Sequence, residues 1–241
     1  MASAEEHYER LLARHYTWMS GGHDMQVPAC ARFFRTLNLA PRAAEKALDL
    51  GCGSGFQSLA LAELGYHVLS LDTSTILLDE LRVLSGARRV TAIQGDIRDA
   101  SLYTARGPFE IAVCMGDTLT HLASFGEVEA LLRSVRACLA PGGKLILGFR
   151  DLTRELAGID RAIPVRSDAD RIMTVFLEFE PEHVRVHDMI YVRENGTWAF
   201  AKNVYTKLRL SAERVAVSLR ELGFEHIERR VERGFSTIVA G

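Results

Sequence analysis

Apolar and polar positions change texture twice along the chain. From residue 47 to residue 149, short apolar runs at 47–50, 67–71, 90–94, 110–115 and 144–149 alternate with longer stretches of helical spacing. That alternation predicts βαβ units and a parallel sheet, because each buried strand needs a crossover helix to return. Helices are expected over 56–64, 76–84 and 125–139; the last carries Val128, Leu131, Leu132 and Val135 on one face, and Pro141-Gly142-Gly143 stops it with a turn. Ahead of this region, 5–19 and 27–39 show helical spacing and are parted by the breakers Ser20-Gly21-Gly22. Beyond Asp151, runs at 171–180, 184–193 and 197–208 alternate in strand fashion around Glu180-Pro181 and Asn195-Gly196, the latter a hairpin signal. A helix over 211–222 and strands over 224–230 and 235–239 follow.

Composition narrows the classes. A length of 241 residues with 48% hydrophobic content supplies a sizeable core. Basic and acidic residues nearly balance, 29 against 31, with no lysine or arginine run, so neither nucleic acid nor a membrane surface is an expected partner. Cys30, Cys52, Cys114 and Cys138 lack CxxC spacing and nearby histidines, which argues against a zinc site and for a reducing cytoplasm. No metal is expected.

The first strand ends in Asp49-x-Gly51-x-Gly53-x-Gly55, with Cys52 inside the turn, and the second ends at Asp72, followed by Thr73. A glycine turn after a first strand lets backbone N–H groups and a helix N-terminus approach a ligand, and an acid about twenty residues later accepts from a ribose diol. A dehydrogenase turn would need a glycine at Phe56. Gly95-Asp96-Ile97 ends the third strand, placing an acid and an apolar cover for an adenine ring. Met115 and Gly116, closing the fourth, complete the candidate cofactor contacts.

On these residues the chain resembles the class I S-adenosylmethionine-dependent methyltransferases, and within them glycine N-methyltransferase and its sarcosine-forming relatives. Gly116-Asp117-Thr118-Leu119-Thr120-His121-Leu122, Phe149-Arg150-Asp151-Leu152 and Lys207-Leu208-Arg209-Leu210-Ser211 resemble corresponding stretches of that group. The resemblance implies an α/β, Rossmann-like, mostly parallel sheet in the order 3-2-1-4-5-7-6, with helices on both faces and a small antiparallel insert. It implies one domain over 1–241: a helical lid at 1–40, a cofactor-binding core at 41–150, an insert capping the substrate at 151–208, and the last helix and strands at 209–241. Tyr16 or Trp18 from the lid, and His121, are implied near the cofactor, with Asp49 balancing its positive charge and Arg150 gripping an acceptor carboxylate.

Asp117 stands where that group has an asparagine. A carboxylate there repels an acceptor carboxylate, so Asp117 argues for an acceptor presenting an amine, amidine or hydroxyl. Asp117, Arg150 and His121, with His187 and Tyr205 from the insert, are the candidate catalytic residues. The expected activity is N-methylation of a small amine or amino-acid-like molecule. Small-molecule O-methylation, less readily with a metal between Asp117 and Asp151, a non-catalytic adenosyl-ligand-binding subunit and an NAD-linked dehydrogenase stay open, as does a homodimer through the insert. Cys114 lies inside an apolar run, which excludes it as a nucleophile toward a pyrimidine ring.

Overall fold

Seven strands form one sheet: β1 (Lys46–Leu50), β2 (His67–Asp72), β3 (Val90–Gln94), β4 (Phe109–Cys114), β5 (Leu139–Arg150), β10 (Ile227–Glu232) and β11 (Phe235–Ala240). The computed structural model, which describes residues 4–241, orders them β3-β2-β1-β4-β5-β11-β10. β11 is antiparallel to both β5 and β10, while β1 to β5 pair in parallel. This is the expected order.

Burial on both faces explains the near-continuous apolar runs of these strands. On one face Leu48, Leu50, Leu145 and Leu147 pack against Val128, Leu131 and Val135 of α6 (Phe125–Cys138) and Val215 and Leu219 of α7 (Ala212–Glu221). On the other, Ala47, Val68, Val113 and Ile146 meet Ala60 of α4 (Phe56–Glu63), Leu78 and Leu81 of α5 (Thr75–Ser85), and Ala31 and Phe34 of α3 (His23–Thr36).

Three local expectations differ from the structure. α3 begins at His23, earlier than 27, and includes Pro28; its buried Val27, Ala31 and Phe34 outweigh the hydrogen bond that proline cannot donate. Pro141-Gly142-Gly143 lies inside β5 as a bulge, since Phe109 faces Leu139 while Ile111 faces Lys144. The last helix is followed by a buried Phe224, so β10 starts at Ile227 and not at 224.

The insert has four antiparallel strands where three were expected: β6 (Ala162–Ser167), β7 (Arg171–Phe179), β8 (His183–Glu194) and β9 (Thr197–Leu208). β6 escapes sequence patterning because Pro164 and a register shift interrupt it, features an edge strand tolerates. The N-terminal segment runs as α1 (Ala4–His7), a π-helical turn (Tyr8–Leu12) and α2 (Ala13–Ser20). Leu11 and Leu12 bury themselves against Met173 and Ile190 of the insert. This helix therefore lies between the insert and the carboxyl ends of the parallel strands, where ligands of open α/β sheets bind.

Candidate active site

A cleft of about 340 Å³ opens at the ends of β1, β2 and β4, and Gly51, Gly53, Asp72, Thr73, Asp96, Ile97, Gly116 and His121 line it. Its floor is the glycine turn. Gly51 has φ +69°, and a Cβ there would overlap Thr118; at Gly53, φ +54°, a Cβ would lie 3.1 Å from the Tyr16 ring. Only a turn without side chains fits between Thr118 and Tyr16 and leaves its backbone facing the cleft. Gly55 caps α4 and packs over Leu81, and the buried Cys52 thiol, its pKa raised by burial, bonds back to the turn; neither faces the cleft.

Asp72 organises the turn. Its Oδ2 accepts from the Gly53 N–H at 2.7 Å and its Oδ1 from the Ser74 N–H at 2.9 Å. Burial raises its pKa, and these backbone donors oppose the rise. The remaining lone pairs are available for a ribose diol. Asp96 also reaches the cleft, but both its oxygens are engaged by Arg98, whose guanidinium lowers its pKa. Ile97 beside it offers the apolar cover. The residues thus suit an adenosyl group.

Asp49 lies one layer below. It is 1% exposed, and Ser58 Oγ donates to its Oδ2 at 2.6 Å. Burial pushes its pKa up to about 7, against the opposing hydrogen bond from Ser58. Keeping a carboxyl raised this way ionised opposes folding, so its contribution is fully present below the unfolded value of about 4, falls as pH rises towards about 7 and is constant above it. Asp49→Asn is therefore expected to raise the melting temperature of the ligand-free protein more at pH values above about 7 than near the ordinary carboxylate value of about 4. An equal effect at both would contradict the buried-carboxyl assignment.

The N-terminal segment covers the cleft. Thr17 Oγ1 donates to Glu80 Oε2 at 2.8 Å and accepts from the Ser54 hydroxyl at 3.0 Å, tying α2 to α5 and the glycine turn. Tyr16 and Tyr8 line the cleft, and Tyr8 meets His121 edge-on with ring centroids 5.6 Å apart. Trp18 departs from expectation: its Nε1 donates to Asp168, and its ring lies under Arg171 at 4.5 Å, facing the insert. Along this helix the cleft-facing side belongs to Tyr16.

Asp117 differs most from the sequence reading. It holds φ +74° and is 2% exposed. Its Oδ1 accepts from the Arg150 backbone N–H at 2.6 Å, and its Oδ2 accepts from Arg150 Nη1 at 2.6 Å and from Lys207 Nζ at 2.8 Å. Burial would raise this carboxyl, but the charges of Lys207 and Arg150 outweigh burial and hold it far below the usual range. Asp117 is thus already paired twice, which removes the argument that it awaits an acceptor amine. Arg150 keeps an exposed guanidinium beside the Phe235 ring, while Lys207 is largely buried.

His121 lines the cleft, and among the described residues neither of its buried ring nitrogens has a hydrogen-bond partner. Burial, then the nearby Lys207, lower its pKa to about 3, against the pull of Asp117. It is neutral near pH 7. Tyr205 is 5.6 Å from His121 and stacks on His7 at 4.2 Å; His7 in turn bonds Asp188 at 2.7 Å, both buried.

Three further candidates fall elsewhere. His187 bonds Glu178 at 2.6 Å and lines a separate hollow on the insert with Phe176 and Met189. The alternation of β8 puts it on the face opposite Asp188. The Met115 methyl lies against Gly148, away from the cleft. Asp151 is engaged elsewhere: its Oδ2 accepts from the Ala212 N–H at 3.1 Å, capping α7, and its Oδ1 from the Thr153 N–H at 3.0 Å. Tyr8, Lys207 and the His7–Asp188 pair were not singled out from sequence. Lys207 stands in the resembled Lys-x-Arg-Leu-Ser stretch, but no spacing there announces its partner.

Comparisons with known proteins match this geometry. The family described as the methyltransferase domain matches residues 47–143, from β1 to the β5 bulge. The cypemycin N-terminal methyltransferase of a Streptomyces species is 31% identical over 175 residues, covering 68% of this chain and 70% of that protein. The chain belongs to the S-adenosylmethionine-dependent methyltransferases. A glycine/sarcosine N-methyltransferase of Parasynechococcus marenigrum is 32% identical over 124 residues, 50% of this chain but only 43% of its own length. Among solved structures, the CcbJ methyltransferase of Streptomyces caelestis superposes with a TM-score of 0.79 at 21% identity, covering 98% of both chains. Streptomyces venezuelae DesVI gives 0.78 at 20% identity, covering 95% of this methyltransferase and 97% of that chain. These likenesses are of fold. S-adenosylmethionine is the cofactor, and among the described residues no helix is long and apolar enough to cross a membrane.

Proposed function

We propose that this methyltransferase moves the methyl group of S-adenosylmethionine to an amine nitrogen of a small or amino-acid-like acceptor. One observation carries nitrogen over oxygen: His121, which lines the cleft, is held at about 3 and is too weak a base to take a hydroxyl proton. An amine needs no base once it is uncharged. The names of two relatives, a cypemycin N-terminal methyltransferase and a glycine/sarcosine N-methyltransferase, support the same reading.

The bound cofactor supplies an electrophilic methyl on a sulfonium. Asp72 holds its ribose and the glycine turn receives the methionine end, with Asp49 beneath. Tyr8 and Tyr16 close the cleft against water. The N-terminal helix acts as the lid, and the insert walls the acceptor end through Thr206, with the Tyr205 ring behind His121. Arg150, with its exposed guanidinium, takes a carboxylate when the acceptor carries one. Catalysis then comes mainly from holding the nitrogen lone pair in line with the C–S bond. A charge-balanced surface fits a small acceptor in the cytoplasm better than a nucleic acid.

Incubation with methyl-labelled S-adenosylmethionine and a panel of amino acids, free-amine peptides, amines and phenols tests this by mass spectrometry. Label on nitrogen is expected. Label confined to phenolic or alcoholic oxygen would overturn the assignment, and binding without turnover on every class would favour the non-catalytic reading.

A further inference from the structure

The insert has two edge strands, and only one of them is protected. On β6, Pro164 and a register shift break the edge, features that discourage a further strand from pairing there. β9 has neither: it pairs with β8 without a break from Thr197 to Leu208, and among the described residues no strand pairs with its other side. The two-residue turn Asn195-Gly196 makes Glu194 and Thr197 a hydrogen-bonded pair. By alternation, the backbone N–H and C=O groups of Trp198, Phe200, Lys202, Val204 and Thr206 then point away from β8. The Val204 N–H agrees with this phase, since it donates to Asn203 Oδ1 at 2.9 Å. Trp198, Phe200 and Lys202 are exposed, and among the described residues their outward backbone groups meet no other backbone. Thr206, the last of the row, lines the cofactor cleft.

We propose that β9 is a docking edge for the acceptor: a peptide with a free N-terminus adds to the insert as a further, antiparallel strand, which leads its amine into the cleft at Thr206. The proposal rests on the N-methyl reading and names the acceptor class. A row of donors and acceptors repeating every two residues, about 7 Å, is matched by another peptide backbone and by no sugar, simple amine or phenol. Polarity agrees as well. Thr206 lies near the C-terminal end of β9, so an antiparallel partner has its N-terminus there. Glu5 also lines the cleft, and its carboxylate attracts an incoming N-terminal ammonium. Beside the edge, a hollow of about 590 Å³ lined by Phe176, His187, Met189 and Val204 seats an apolar side chain of the added strand. A second copy of this chain fits the edge less well. Antiparallel self-pairing along the whole row is centred on Lys202, the middle of the five outward residues, and sets that lysine against its own copy. For a peptide, the same lysine favours an acidic or neutral residue opposite.

Calorimetric titration of the protein saturated with S-adenosylhomocysteine tests docking without chemistry. The probes are a dipeptide and an octapeptide of alternating threonine and valine, each begun by a free alanine. The octapeptide is expected to bind at least about tenfold more tightly, because it alone reaches along the outward row. Methylating alternate backbone nitrogens of the octapeptide, those that face β9, is expected to remove that advantage on the wild-type protein. Lys202→Pro takes away one outward N–H and leaves the ladder to β8 intact, as an edge strand tolerates, and is expected to remove it too. Lys202→Ala keeps the N–H and keeps the advantage, and both variants hold S-adenosylhomocysteine as the wild type does. An octapeptide that binds no tighter than the dipeptide, or an advantage that survives backbone methylation, overturns the proposal. So does a wild-type dimer that Lys202→Pro dissociates in sedimentation, which would give the edge to a second copy. Label confined to oxygen in the acceptor panel would overturn the N-methyl reading, whereas label on nitrogen with no effect of peptide length would overturn the docking edge alone.

Discussion

Asp117→Ala is expected to lower unfolding free energy by about 3–5 kcal/mol, because it strands the largely buried Lys207 ammonium without its counter-ion. Arg150, whose side chain is 61% exposed, contributes little of this, since water replaces the lost partner. The backbone adds a smaller cost, as alanine adopts φ +74° poorly. Asp117→Asn separates these effects: asparagine tolerates that φ and can still accept from the Arg150 N–H, so it is expected to lose less than alanine. Urea unfolding of the three proteins measures the order. If alanine costs no more than a surface substitution, the two-cation grip is not what holds the loop after β4.

Asp72→Ala is expected to weaken S-adenosylhomocysteine binding roughly 100-fold, the loss of charge-assisted hydrogen bonds to two ribose hydroxyls. The same carboxylate steadies the glycine turn through Gly53, so part of the loss comes from a floor no longer held in place. Asp72→Asn keeps an acceptor for one hydroxyl and is expected to fall between. Isothermal titration decides it. Equal affinities in Asp72→Ala and wild type would mean that the adenosyl group binds elsewhere.

The sheet and the donor site were legible because their information is local. Five apolar runs, one glycine turn and an acid at a fixed interval constrain the chain within βαβ units, and the resemblance ordered the strands. The acceptor end was less legible because its contacts are distant. Asp117 meets Lys207 across 90 positions, and His7 meets Asp188 across 181. No periodicity encodes such a pairing. An unpaired Asp117 pointed to an acceptor amine; the structure pairs it with Arg150 and Lys207 instead. Trp18 and Tyr16 looked equivalent for a related reason. Which of two aromatics on a helix faces the ligand depends on the helix rotation, and here Thr17 contacts from Ser54 and Glu80 set that rotation. His187 looked equivalent to Tyr205 until strand alternation placed it on the other face of the insert.

A crystal structure with S-adenosylhomocysteine bound tests the account most directly. The ribose hydroxyls are expected on Asp72, the adenine against Ile97, and the sulfur beneath Tyr8 and Tyr16, facing the end of the cleft that holds His121. A sulfur facing away from His121, or a ribose that does not touch Asp72, would contradict it.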